Sequence, residues 1–148
     1  MVAAAQQSGI DSYLAALDVD NFKSINDAFG HAGGDAVLSQ LGGCLRDAVR
    51  AGDLTARVGG EEFVVVFAAA TLADAHLACE RIRLAISDIA WPELSEELWV
   101  TITMGLACTT TSRTSQELWI AADALLYDAK RAGKNRVLSA AEPEHTRT

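Results

Sequence analysis

The stretch "RVGGEEFVVVF", residues 57–67, sets two glycines and two adjacent acids at the mouth of an apolar run. Phe63 to Phe67 are all aromatic or β-branched, the composition of a buried strand. Leu54 to Val58 reads as a second strand, so "GGEE" becomes the tip of a tight hairpin whose glycines supply unusual backbone angles. Glu61 and Glu62 then stand side by side at that tip, against the apolar run.

Outward from the hairpin, helices and strands alternate. "YLAALDV" (13–19) is a short apolar run with Asp18 and Asp20 at its end, consistent with a central strand. "NFKSINDAFG" reads as a short helix stopped by Gly30. From Asp35 to Arg50, Val37, Leu38, Leu41, Leu45, Ala48 and Val49 recur at three-to-four spacing, and Asp35 after two glycines suits an N-cap. Leu72 to Ile89 repeats the helical pattern, "LWVTITMGLAC" (98–108) is strand-like, and Gln116 to Ala132 is a further helix closed by Gly133. "NRVLSA" supplies a last short strand. The order β-α-α-β-β-α-β-α-β predicts an α/β fold, an α+β sandwich of the ferredoxin-like kind with a mostly antiparallel sheet of about five strands flanked by helices.

Composition narrows the function. With 148 residues, half of them apolar, the chain suits one domain with a real core. A formal net charge of -8 is the wrong sign for an extended nucleic-acid-binding face. No stretch approaches the roughly 20 apolar residues of a membrane span, and the first residues lack a secretory pattern, so a cytoplasmic protein is expected. Cys44, Cys79 and Cys108 are far apart in apolar settings and read as buried thiols rather than zinc ligands.

A strand pairing beside the hairpin would bring "ALDVD" to the "GGEE" tip and gather Asp18, Glu61 and Glu62. Clustered carboxylates repel unless a cation sits among them, and hard oxygen donors favour Mg²⁺ or Mn²⁺. Gly59 and Gly60 would let a phosphate or sugar approach the backbone closely. Phe22 and Lys23 open a helix whose free N–H groups favour an anion, and Lys130 and Lys134 flank Gly133 where they could clamp a polyphosphate. Asn26 and Asp35 have the chemistry for a guanine edge, although Asp35 serves equally well as an N-cap.

Three separated segments, "DVDNFKSINDAFGHAGGDAVL", "RVGGEEF" and "ADALLYDAKRAGKNRV", resemble the GGDEF family of diguanylate cyclases, in the variant whose signature reads GGEEF. The resemblance runs from about Ala15 to Val137. It implies a nucleotidyl-cyclase-like sheet and an enzyme that condenses two GTP into cyclic di-GMP and two pyrophosphates, one GTP held by each subunit of a homodimer. It further implies that Asp18, the Val19 carbonyl, Glu61 and Glu62 hold two Mg²⁺ (or Mn²⁺) ions. Glu61 or Glu62 would assist deprotonation of the attacking 3'-hydroxyl. Asn26 and Asp35 would read guanine, while Phe22, Lys23, Lys130 and Lys134 would bind the phosphates, with Gly59 and Gly60 also among the substrate-binding residues.

"RAGD", Arg50 to Asp53, lies five residues before the first signature glycine and resembles the R-x-x-D inhibitory site of the same family, where product binds. Arg81 matches a further arginine of that site. Arginine forks onto phosphate or the guanine Hoogsteen edge, and a carboxylate accepts from guanine nitrogens.

The D-x-L-T-G-L-x-N-R segment common in the family has no match in residues 1–14. The chain is accordingly expected to be a single domain, 1–148 with a core of about 13–138, without that N-terminal helix segment or a regulatory domain. A catalytically idle module that binds cyclic di-GMP is the alternative expectation, and a purely structural or dimerisation domain a third.

Overall fold

In the computed structural model, residues 12–68, 71–108 and 114–140 are described. The strands are β1 (Ser12–Val19), β2 (Leu54–Arg57), β3 (Glu62–Ala68), β4 (Ile102–Cys108) and β5 (Val137–Ser139). The helices are α1 (Phe22–Ala48), α2 (Leu72–Ser87) and α3 (Ser115–Arg131). They form one five-stranded sheet in the order β2-β3-β1-β4-β5. Three ladders are antiparallel and only β4 with β5 is parallel, as expected of a mostly antiparallel sheet.

Alternation along β1 sorts the two layers. Tyr13, Ala15, Leu17 and Val19 join the core under α1 and α2, with Ile82 and Ile86. Leu14 and Ala16 face the other way and pack under α3 with Leu118, Ala122 and Leu126. The second layer is thin because its residues are small. A methyl group added at Gly105 would stand 2.3 Å from the backbone oxygen of Ala122 and 2.3 Å from the nitrogen of Leu126, so α3 lies almost on β4.

Three local readings need correction. Asp35 is not an N-cap: it lies exposed inside α1, which resumes directly after a bend at Gly30 (φ 74°, ψ 174°). Gly30 interrupts the helix as the sequence suggests, but Gly33 and Gly34 continue it, their lack of a side chain letting the two arms of the bend pack. A methyl at Gly33 would meet Cβ of Phe29 at 2.4 Å, and one at Gly34 would meet Oδ1 of Asn26 at 1.8 Å. Gly59 and Gly60 are not among the positive-φ glycines, which are Gly30, Gly52 and Gly133. Gly60 contributes open space, since a methyl there would touch nothing within 4 Å, whereas one at Gly59 would stand 3.4 Å from Oε2 of Glu62. Leu98 to Thr101, read as part of a strand, lies outside β4: Leu98 N–H bonds back to the Ser95 carbonyl in a turn, and the Thr101 carbonyl accepts from the Asp20 N–H just beyond β1.

Candidate nucleotide site

The functional groups converge where β1 ends. Asp18 stands opposite Glu62 in the β1–β3 ladder, and directly opposed residues share a face of the sheet. Even-numbered β1 residues face α3, so Asp18 points toward that helix and meets Lys130 near its end. Their side chains form an ion pair that is also a hydrogen bond to Oδ2. Oδ1 of Asp18 is buried without a partner. One residue on, the Val19 N–H donates to the Glu61 carbonyl at 3.3 Å, fixing the hairpin tip against the end of β1.

The expected trio of acids is therefore a facing pair, Asp18 and Glu62, with Glu61 next along the chain. Among the described residues no three acidic, histidine or cysteine side chains are grouped as a metal cluster; Lys130 occupies one Asp18 oxygen instead. The donor set nevertheless fits a hard divalent cation. An orphaned buried carboxylate oxygen is costly, and a cation displacing Lys130 would use it.

Groups expected from the sequence to meet phosphate flank this pair. Phe22 and Lys23 open α1 behind Asn21, whose φ is 55° and whose side chain does not cap the helix. That side chain instead accepts a hydrogen bond from Lys134 Nζ at 2.9 Å. Between the two arms of the bend in α1, Asn26 Oδ1 is buried with no partner beside Gly34, with Asp35 exposed one residue later. The bend thus sets Asn26 against Gly34, the residue before Asp35, and leaves an amide oxygen without a donor.

Several residues at the site carry no local sequence signal. Arg57 Nε donates to the carbonyls of Gly59 (3.1 Å) and Gly60 (3.0 Å), stapling the hairpin tip. Asp20, read from sequence only as a strand ending, is 7% exposed and accepts from Thr101 Oγ1 (2.7 Å), Thr103 Oγ1 (2.6 Å) and the Asn135 N–H (3.1 Å). Thr103, which local sequence gives no reason to single out, is fully buried and holds both Asp20 and Asn135.

Away from these groups, Arg50, Asp53 and Arg81 come together around a cavity of about 360 Å³, with Phe67, Asp74 and Leu77 also lining it. Asp53 accepts from the N–H groups of Arg50 (3.2 Å) and Ala68 (3.1 Å), so it braces the turn as well as lining the cavity. Ala68 and Glu62 are the two ends of β3, which separates this cavity from the acids by about 20 Å of strand.

Acids, lysines and glycines thus meet at one end of a mostly antiparallel sheet in an α/β domain. Residues 2–136 match the model of the diguanylate cyclase GGDEF domain, and the chain belongs to that family. It is 41% identical over 136 residues to diguanylate cyclase DgcP of Pseudomonas aeruginosa, covering 92% of this chain and 20% of that protein. Diguanylate cyclase DgcS of Shewanella oneidensis is 37% identical over 134 residues, 90% of this chain and 44% of the relative. The chain thus spans less than half the length of these relatives. Among solved structures, the GGDEF domain of DgcB from Caulobacter crescentus in complex with c-di-GMP superposes with a TM-score of 0.87 at 31% identity, covering 93% of this chain and 82% of that one. The active GGEEF domain of a diguanylate cyclase from Vibrio cholerae gives 0.85 at 28% identity, covering 95% and 90%.

Proposed function

We propose that this chain is a diguanylate cyclase domain: two GTP, one per copy of a homodimer, are joined into cyclic di-GMP with release of two pyrophosphates. The observation that carries the reading is Asp18 in register with Glu62 and paired with Lys130, at the sheet end that Lys134 also reaches.

Each residue has a role suited to its surroundings. Asp18, the Val19 carbonyl, Glu61 and Glu62 hold two divalent cations, Mg²⁺ or Mn²⁺, which neutralise phosphate charge when bound. Glu61 or Glu62 takes the proton of the attacking 3'-hydroxyl. The oxygen attacks the α-phosphorus of the GTP on the facing copy, and pyrophosphate leaves with the bridging electrons. Lys23, Lys130 and Lys134 offset charge on the phosphates, Phe22 shapes the turn beneath them, and Gly59 with Gly60 leaves room for them. Asn26 and Asp35 select guanine. Arg50, Asp53 and Arg81 bind the product and inhibit turnover.

The reading is supported by the unpartnered Asp18 and Asn26 oxygens, each buried next to chemistry that a bound GTP and its cation would complete. It is tested by incubating the chain with GTP and Mg²⁺ at several protein concentrations and resolving products chromatographically. Cyclic di-GMP rising more steeply than linearly with protein is expected, because each copy holds half of the reaction. No product at any concentration overturns the reading. No helix among the described residues is long and apolar enough to cross a membrane.

A further inference from the structure

Lys134 sits in an unusual piece of backbone. Gly133, Lys134 and Asn135 have φ of 128°, 63° and 47°, three successive left-handed residues of which two carry side chains. Such a run is costly and persists only where its surroundings over-determine it. Here the over-determination centres on Asn135. Its N–H donates to Asp20 Oδ2 (3.1 Å) and Thr103 Oγ1 (3.0 Å), and its Oδ1 accepts from Arg83 Nη1 (2.9 Å). Arg83 is itself aimed by Glu80, whose Oε2 accepts from Nε (3.2 Å) and Nη2 (2.6 Å).

The grips arrive from three elements. Asp20 directly follows β1, Thr103 is buried in β4, and Glu80 with Arg83 projects from α2. None of Asp20, Thr103, Arg83 or Asn135 has an assigned part in the chemistry above. A lysine held on helical or extended backbone at position 134 would send its Cα–Cβ bond in a different direction, and its ammonium would leave Asn21 and the phosphate side of the site.

We propose that Asn135 is a positioning residue: clamped by Asp20, Thr103 and Arg83, it holds Lys134 in the left-handed conformation that aims its ammonium at the triphosphate. The proposal rests on the cyclase reading of the site. The clamp acts on nucleotide binding through Lys134 and not through general stiffening of the fold.

A double-mutant cycle separates these possibilities. Equilibrium affinity is measured, with Mg²⁺, for a GTP analogue carrying a methylene between the α- and β-phosphorus, which cannot release pyrophosphate. Thr103→Val removes the buried hydroxyl, and Arg83→Met cuts the side-chain grip from the protein surface. Each is expected to weaken binding about fivefold in the otherwise native chain, but less than about twofold when Lys134→Met is already present. Equal losses in both backgrounds overturn the proposal, as does the absence of loss in the Arg83→Met single variant. Arg83→Met decides alone if Thr103→Val does not fold. Failure of the cyclase reading would be seen separately, as an unmodified chain that binds the analogue but makes no cyclic di-GMP.

Discussion

Lys130 donates to one carboxylate oxygen of Asp18 while the other oxygen of the same group is buried with no partner. The ammonium thus occupies a place that a divalent cation would contest. Lys130→Met is expected to tighten Mn²⁺ binding to the nucleotide-free chain severalfold, because the competitor is gone, and to lower turnover of GTP at least about tenfold, because a phosphate partner is gone. Mn²⁺ titration followed by paramagnetic relaxation, alongside initial rates, measures both. Tighter metal with unchanged rates would remove Lys130 from the phosphate-binding set.

Arg50 and Asp53 line one cavity but differ in what else they do. Arg50 is exposed, whereas Asp53 bonds two backbone N–H groups. Arg50→Ala is expected to lose cyclic di-GMP affinity by about tenfold or more with an unchanged unfolding midpoint. Asp53→Ala should lose affinity and also about 1 kcal/mol of stability, reduced from a buried-bond value because the turn is accessible to water. Calorimetric titration and urea unfolding of the two variants provide the comparison.

Gly34 makes room for Asn26. A methyl there would stand 1.8 Å from Asn26 Oδ1 and 3.0 Å from the Phe22 ring, so the amide must swing away. Gly34→Ala is expected to raise KM for GTP about tenfold and to narrow the preference for GTP over ATP, since alanine suits the helix but the amide no longer reaches the base. Competition assays with the two nucleotides read this out.

Cys79 is fully buried, and burial, with a smaller contribution from Glu80, pushes its thiol far above the ordinary range. The folded chain therefore holds this proton more tightly than the unfolded chain. Its contribution is complete below the ordinary thiol pKa of about 9 and is lost progressively above it, by up to about 1.4 kcal/mol per pH unit. Urea unfolding between about pH 9 and 10 should show a steeper loss for the native chain than for Cys79→Ala. Cys44 is raised in the same direction, first by partial burial and then by the Asp47 carboxylate.

The helices were legible because each buries one face, and the central strands because they are apolar throughout, β1 and β4 being buried on both faces. The apolar runs of β1 and β3 and the three-to-four spacing of α2 and α3 correspond to observed elements within a residue or two. The glycines were harder. Near Asp35 they resemble a helix start, and only the approach of Asn26 and Phe29 reveals that they are contacts inside a bent helix. The acids and lysines were visible as residue types, but Asp20 was not, since its three donors come from positions 81 to 115 residues away. A carboxylate satisfied wholly by distant hydroxyls and one amide leaves no local pattern. Arg57 is similar: nothing in "RVGG" announces that its guanidinium folds back onto the two glycine carbonyls.

The placement of β1 between β3 and β4 has a consequence for how the protein is made. As the chain leaves the ribosome, its first strand has no neighbour on one side until β3 has been synthesised, and none on the other until β4 has followed. An apolar strand with at least one edge open through that interval is a target for chaperones and for pairing between nascent chains. Lys130 meets Asp18 from 112 residues further along. The Asp18–Lys130 pair is consequently among the last contacts to form, and a nascent chain stalled before α3 would carry the acids at the end of its sheet with no Lys130 facing them.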